Sequence, residues 1–175
     1  MVISQSPEEI GLSLAVNVNA AIVAVRLASA TLWSVPPDIL LTGDTAAETA
    51  TKFRPVGYRH SAESVVFAVD FKFFAERPQE GAKPLDLIKI SCAFEAEYLV
   101  NPKFKPTDEQ LKAFHEGNVI FNCWPYFREF VQNSTVRMHL PPPPIPFLRI
   151  SAPKKAGAQK RLSGGKALKE GTADK

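Results

Sequence analysis

The sequence predicts an α+β fold, an antiparallel sheet with a helix laid across it. Two neighbouring stretches alternate apolar and polar residues, a turn-rich segment joins them, and the firmest helix signals come only afterwards. In the first stretch Val65, Phe67, Val69, Phe71 and Phe73 fall on one face of a strand, with Asp70 and Lys72 among the intervening positions. In the second, Ile88, Ile90, Cys92, Phe94, Ala96 and Tyr98 share a face, with Lys89, Ser91, Glu95 and Glu97 on the other. The segment from Arg77 to Pro84 carries Pro78, Gly81 and Pro84, so an antiparallel hairpin is the economical connection.

The flanking segments are read in the same terms. Residues 5–19 hold two readings: Ser6-Pro7-Glu8-Glu9 suits a helix start, while Leu12, Leu14 and Val16 alternate as in a strand. Ala20 to Val35 is rich in β-branched and aliphatic residues and reads as a strand closed by Pro36-Pro37, followed by a loop through Gly43 and Asp44. Thr107 with Gln110 three residues on marks a helix start, and Gly117-Asn118 is expected to stop that short helix. A second helix is expected from near Asn122, with Pro125 in its first turn, running through Trp124, Phe127 and Val131 and ending by Leu140. Pro141 to Pro144 and Pro146 impose an extended stretch, after which Phe147, Leu148 and Ile150 dock or pair.

Charge divides the chain into a body, residues 1–150, and a tail, residues 151–175. The net charge of +3 conceals a tail balance of +5, from Lys154, Lys155, Lys160, Arg161, Lys166, Lys169 and Lys175 against Glu170 and Asp174. The body therefore carries −2, poor grounds for nucleic-acid binding by the folded part. The tail is too poor in apolar residues to offset its ordering entropy, and disorder is expected there. Met1 to Ile10 lacks a signal-peptide pattern, and apolar runs such as Ala20 to Val25 are far shorter than the roughly 20 residues of a membrane span. A cytoplasmic protein without membrane insertion is expected.

Chemistry-bearing motifs are missing from the sequence. No glycine-rich phosphate loop, nucleophile elbow or His-Glu-x-x-His occurs, and His60, His115 and His139 fall in separate segments. Cys92 and Cys123 have no partner at ligand spacing and read as reduced, buried thiols. The expectation is a protein that is not an enzyme and takes no cofactor or metal. The unusual feature is aromatic content, with 12 Phe, 2 Trp and 3 Tyr. These rings, among them Trp33, Phe53, Phe104 and Phe147 in or beside expected loops, are either ordinary core or the lining of an open apolar groove for peptide segments.

One run carries a family resemblance. Phe121-Asn122-Cys123-Trp124-Pro125-Tyr126-Phe127-Arg128-Glu129-Phe130, followed by Pro141 to Pro144 and Phe147, resembles the SecB export-chaperone family's aromatic-Pro-Tyr-x-Arg-Glu helix and its downstream proline-rich turn. Phe53-Arg54-Pro55 resembles the aromatic-x-Pro element of that family's crossover loop. The resemblance spans roughly residues 22–150. It implies a four-stranded antiparallel sheet with a long C-terminal helix packed on it, assembled as a homodimer or dimer of dimers, and an ATP-independent holdase that binds unfolded polypeptide in hydrophobic grooves.

By the resemblance, Tyr126, Arg128 and Glu129 are structural positions of the helix and Phe53 is a groove residue. The candidate polypeptide-binding set is Trp33, Phe53, Phe121, Trp124, Phe127, Phe147 and Leu148. The clients implied are preproteins or a dedicated, aggregation-prone antitoxin. The near-neutral body and the Phe74-Ala75-Glu76-Arg77 segment argue against docking on the SecA motor, and the family's last helix is expected to be truncated or absent. The competing function is a small nucleic-acid-associated protein that binds phosphates through its lysine-rich tail.

Overall fold

The computed structural model describes residues 1–41, 46–61 and 63–151. The loop expected at Gly43-Asp44 and the tail from 152 onward lie outside the described residues. Four long strands, β2 (Ala20–Ser34), β3 (Glu48–His60), β4 (Ser64–Arg77) and β5 (Leu85–Val100), form one sheet in the order β2-β5-β4-β3. Every neighbouring pair is antiparallel. The two alternating stretches of the sequence are β4 and β5, paired directly, with Phe71 opposite Cys92 and Phe73 opposite Ile90. Their alternating apolar residues are all buried, and Phe67, Val69, Phe71 and Ile90 are wholly so.

Local chemistry decides between the two readings of residues 5–19. Ser6 and Glu9 close a capping box: the Glu9 amide donates to Ser6 Oγ at 3.1 Å and the Ser6 amide donates to Glu9 Oε2 at 2.6 Å. With Pro7 at the first helical position, the segment forms α1 (Pro7–Asn17). A short helix, α2 (Pro37–Leu41), starts where only a loop was expected. Phe53-Arg54-Pro55 lies within β3 rather than in a connection, because β3 is an edge strand and a register shift follows Pro55. An edge strand next to an irregularity tolerates a residue that cannot donate to the ladder.

The helical region also departs from expectation. Thr107 and Gln110 cap α3 (Asp108–Phe114) as read from the sequence, but Gly117 does not stop it. The chain passes through one π-helical turn (His115–Val119) into α4 (Ile120–Arg137), a continuous run in which Pro125 sits inside α4 instead of in its first turn. Gly117 serves close packing: a Cβ there would meet the Gln5 side chain at 2.5–2.7 Å. Gln5 is itself buried and donates to the Ala113 carbonyl at 2.8 Å. The helix ends at a Schellman turn, with Leu140 N–H on Thr135 O, His139 N–H on Val136 O, and His139 at φ 59°.

Beyond the helix, residues 141–146 are extended and lead to β6 (Arg149–Ser151), which pairs in parallel with β1 (Val2–Ser4). β1 escaped sequence reading; β6 is the pairing expected of the segment after the prolines. Among the described residues no helix follows α4.

The Gly117 contact is directly testable. Gly117→Ala is expected to lower stability by about 1–3 kcal/mol, because Gln5 must give up its place and its hydrogen bond. In a Gln5→Ala background the same substitution should cost markedly less, which a double-mutant cycle of thermal or urea unfolding measures.

Candidate functional site

Three helix aromatics fix α4 across the sheet. Trp124 meets Phe53 of β3 edge-on at 6.2 Å, Phe127 stacks on Phe71 of β4 at 4.9 Å, and Phe130 meets Phe94 of β5 edge-on at 6.4 Å. The three rings thus reach β3, β4 and β5, Trp124 also meeting Phe71 at 6.1 Å, and none of them has a ring partner on the fourth strand, β2. Asn122 Nδ2, donating to the Tyr98 hydroxyl at 2.8 Å, adds a polar contact on the β5 side. Burial of Tyr98 pushes its phenol well above the usual range, so the hydroxyl stays protonated.

The two flanks of the helix differ. On the β3 side a strap fills the gap: Trp124 Nε1 donates to Pro146 O at 3.0 Å and Arg128 Nε to Ile145 O at 3.1 Å. The Met1 amino group donates to Phe147 O at 3.2 Å, and Ile3, Ile145 and Leu148 are buried. On the β2 side no element among the described residues covers the sheet comparably. Register with β5 places Ile22, Val25, Leu27, Ala30 and Leu32 on the core face, opposite Tyr98, Ala96, Phe94, Cys92 and Ile90. Two register shifts, at Val23 and Ala28, keep that row in phase although its spacing alternates between three and two residues. Yet Ile22, Leu27 and Leu32 are 46%, 45% and 44% exposed. Tyr126, four residues before Phe130 and on its side of α4, is 45% exposed on the β5 side of the helix.

The outer face of the sheet is polar. Glu95 accepts from Arg59 at 2.7 Å and from Arg26 at 2.9 Å, which ties both edge strands to β5. Those hydrogen bonds, Arg59's first and Arg26's second, hold the Glu95 carboxyl down to about 2. Arg54 pairs with Asp70 at 2.7 Å. This ladder of charge marks the solvent side, so the apolar row on the opposite face of β2 is the exposed surface that calls for a partner.

The residues singled out from sequence separate into groups. Trp124, Phe127 and Leu148 are core, at 3%, 0% and 5% exposure, and do not present themselves to a ligand in this packing. Phe53 is half-buried against Phe71 and Trp124. Phe121 and Phe147 are exposed; Phe121 shares the helix side of Trp124 and Arg128, and the Arg128 guanidinium lies 4.4 Å from the Phe147 ring centre. Trp33 is exposed but stands on the outer face, opposite Lys89. The β2 row was not singled out; its signal was a near-continuous aliphatic strand that one helix is too narrow to cover. Tyr126, expected as a structural position of the helix, is half exposed.

Other candidate chemistry is quiet. Cys92 and Cys123 are free and buried, and burial pushes both thiols up to about 12. His115 is buried on the Ala68 carbonyl at 2.9 Å, its pKa lowered chiefly by desolvation. Among the described residues no cluster of His, Cys, Asp or Glu side chains converges as metal ligands do, and no helix is long and apolar enough to cross a membrane.

No protein-family model and no curated protein sequence matches the chain. Solved structures do. The Mycobacterium tuberculosis Rv1957 SecB-like chaperone, in complex with a ChAD peptide from the Rv1956 HigA1 antitoxin, superimposes with a TM-score of 0.65 at 21% identity, over 79% of this chain and 96% of that one. The fold is SecB-like. A weaker likeness, TM-score 0.41 at 10% identity over 73% of this chain and 97% of that one, is to a Streptococcus agalactiae protein of unknown function. Within the SecB-like fold, Arg128 of the Pro-Tyr-x-Arg-Glu motif ties the proline strap to α4, while Tyr126 is left half-exposed on the helix side it shares with Phe130.

Phe53, by the resemblance a groove residue, sits half-buried on the covered flank of this SecB-like sheet. Phe53→Ala removes a ring packed on Phe71 and Trp124 and is expected to cost about 2 kcal/mol, visible as a lowered thermal midpoint. An unchanged midpoint would return Phe53 to the surface.

Proposed function

We propose that this protein is an ATP-independent holdase chaperone whose client polypeptide lies along the open apolar flank of the sheet. The observation that carries the reading is the row of Ile22, Leu27 and Leu32, about half exposed, in a SecB-like fold whose solved counterpart holds an antitoxin peptide. Aliphatic side chains impose little directional chemistry, so such a floor accepts many apolar segments at modest affinity. β2 spans 15 residues, about 50 Å of strand, long enough for an extended client.

The same strand supports self-association. β2 is an edge strand whose only charged residue is Arg26, a weak guard against strand pairing. Two copies paired there, as a homodimer or within a dimer of dimers, would join their rows into one longer floor. Clients are unfolded or aggregation-prone polypeptides in the cytoplasm, either preproteins or a dedicated client such as an antitoxin; no nucleotide, metal or enzymatic step enters the reading. SecA docking is not part of it, given the nearly neutral body.

The protein is expected to suppress light scattering of a chemically unfolded client without ATP, and to sediment as a dimer or larger. Leu27→Ser with Leu32→Ser should abolish most of that suppression while costing only about 1–2 kcal/mol of stability, since both side chains are already half in water. Full suppression by the double variant would rule out the β2 flank.

A further inference from the structure

The outer face of the sheet, on the other side from α4, carries a second patterned surface. One register row runs Ala50, Phe74, Lys89 and Trp33 across all four strands. The Lys52 ammonium lies 5.4 Å from the Phe74 ring centre and the Lys89 ammonium 5.8 Å from that of Trp33. In the next row Lys52 of β3 stands directly opposite Lys72 of β4, followed by Ser91 and Thr31. Lys52 and Lys72 are both exposed, and among the described residues neither has a carboxylate partner.

Like charges directly opposite each other weaken a sheet. This pair therefore costs stability unless an anion lies over it. The next carboxylates toward the strand ends, Glu48 opposite Glu76, are four residues along β3 from Lys52, about 13 Å of strand; they line a common depression with Lys52, but among the described residues form no ion pair with it. On the other side Asp70 is taken by Arg54. A depression of about 280 Å³ lined by Lys52, Phe53, Arg54, Asp70 and Lys72 opens beside the pair. The surface thus offers two free ammonium groups next to a row with two aromatic rings.

We propose that this face docks an acidic polypeptide segment, its carboxylates on Lys52 and Lys72 and its apolar side chains against Phe74 and Trp33. A polypeptide fits better than a nucleic acid. Phosphates at every nucleotide would run from the basic row onto Glu48 and Glu76 on one side or onto arginines already paired with Asp70, Glu95 and Glu97 on the other, whereas a peptide can place carboxylates only where the lysines are. The docking surface is separate from the inner β2 row and does not depend on the holdase reading.

The test is fluorescence anisotropy of a fluorescein-labelled peptide of repeating Glu-Ala-Glu-Leu, titrated with the full-length protein. Saturable binding that weakens with added salt is expected, and Lys52→Gln with Lys72→Gln should weaken it about tenfold. The thermal midpoint of that variant should stay level or rise, because a repulsion has been removed. Absence of binding by the unaltered protein overturns the proposal. So does binding undiminished by the double substitution, which would move the site to the lysine-rich tail. Tighter binding of an oligothymidylate through the same lysines would assign the face to nucleic acid instead, and salt-sensitive dissociation of the protein's own oligomer on losing them, without peptide binding, would assign it to a second copy.

Discussion

A helix about 10–12 Å across cannot cover a sheet of four strands spaced about 4.8 Å apart, and the rest of the structure follows from how that mismatch is met. The helix is seated by its aromatics over β3, β4 and β5, with the Phe127–Phe71 stack at the centre. The segments before α1 and after α4 that the structure describes both lie on one flank. β1, the proline segment and β6 close the β3 side, which is why Leu148 and Ile145 are buried although they follow a run of prolines. The β2 side has no comparable cover among the described residues, and its apolar row stays in water.

This asymmetry gives the sheet two surfaces of different character. The inner flank of β2 is aliphatic, long and nearly uncharged, suited to weak binding of many apolar segments. The outer face is charged and largely self-paired, with Glu95 braced between Arg26 and Arg59, and breaks that pairing at Lys52 and Lys72. The thickness of the sheet separates the two, so one face can hold a client while the other meets a partner of a different kind.

Much of the fold was legible in the sequence because period-two patterning and capping boxes are local. The β4–β5 hairpin, the Thr107 cap and the extended proline stretch needed no tertiary information. Gly117 misled because a glycine that ends a helix and one that admits the Gln5 side chain look alike until Gln5, more than a hundred positions away, is in place. Phe53 misled in the same manner: Pro55 argued for a connection, but the position of β3 at the sheet edge makes a proline acceptable. The candidate site was the least legible part. Aromatic content drew attention to Trp124 and Phe127, which the helix–sheet seam consumes, while the surface left open is built from Ile22, Leu27 and Leu32, whose exposure depends on where the helix and the strap come to rest.

The central claim is that client polypeptide is held on the inner face of β2. Neighbouring positions of that strand offer an internal control, since Leu27 and Leu32 face inward and Thr31 faces outward. A photo-cross-linking amino acid placed singly at each position, followed by irradiation with an unfolded client, reads the face in contact. Covalent client adducts from positions 27 and 32, with little from 31, are the result this account predicts. Adducts from position 31 equal to or exceeding those from 27 and 32 would contradict it.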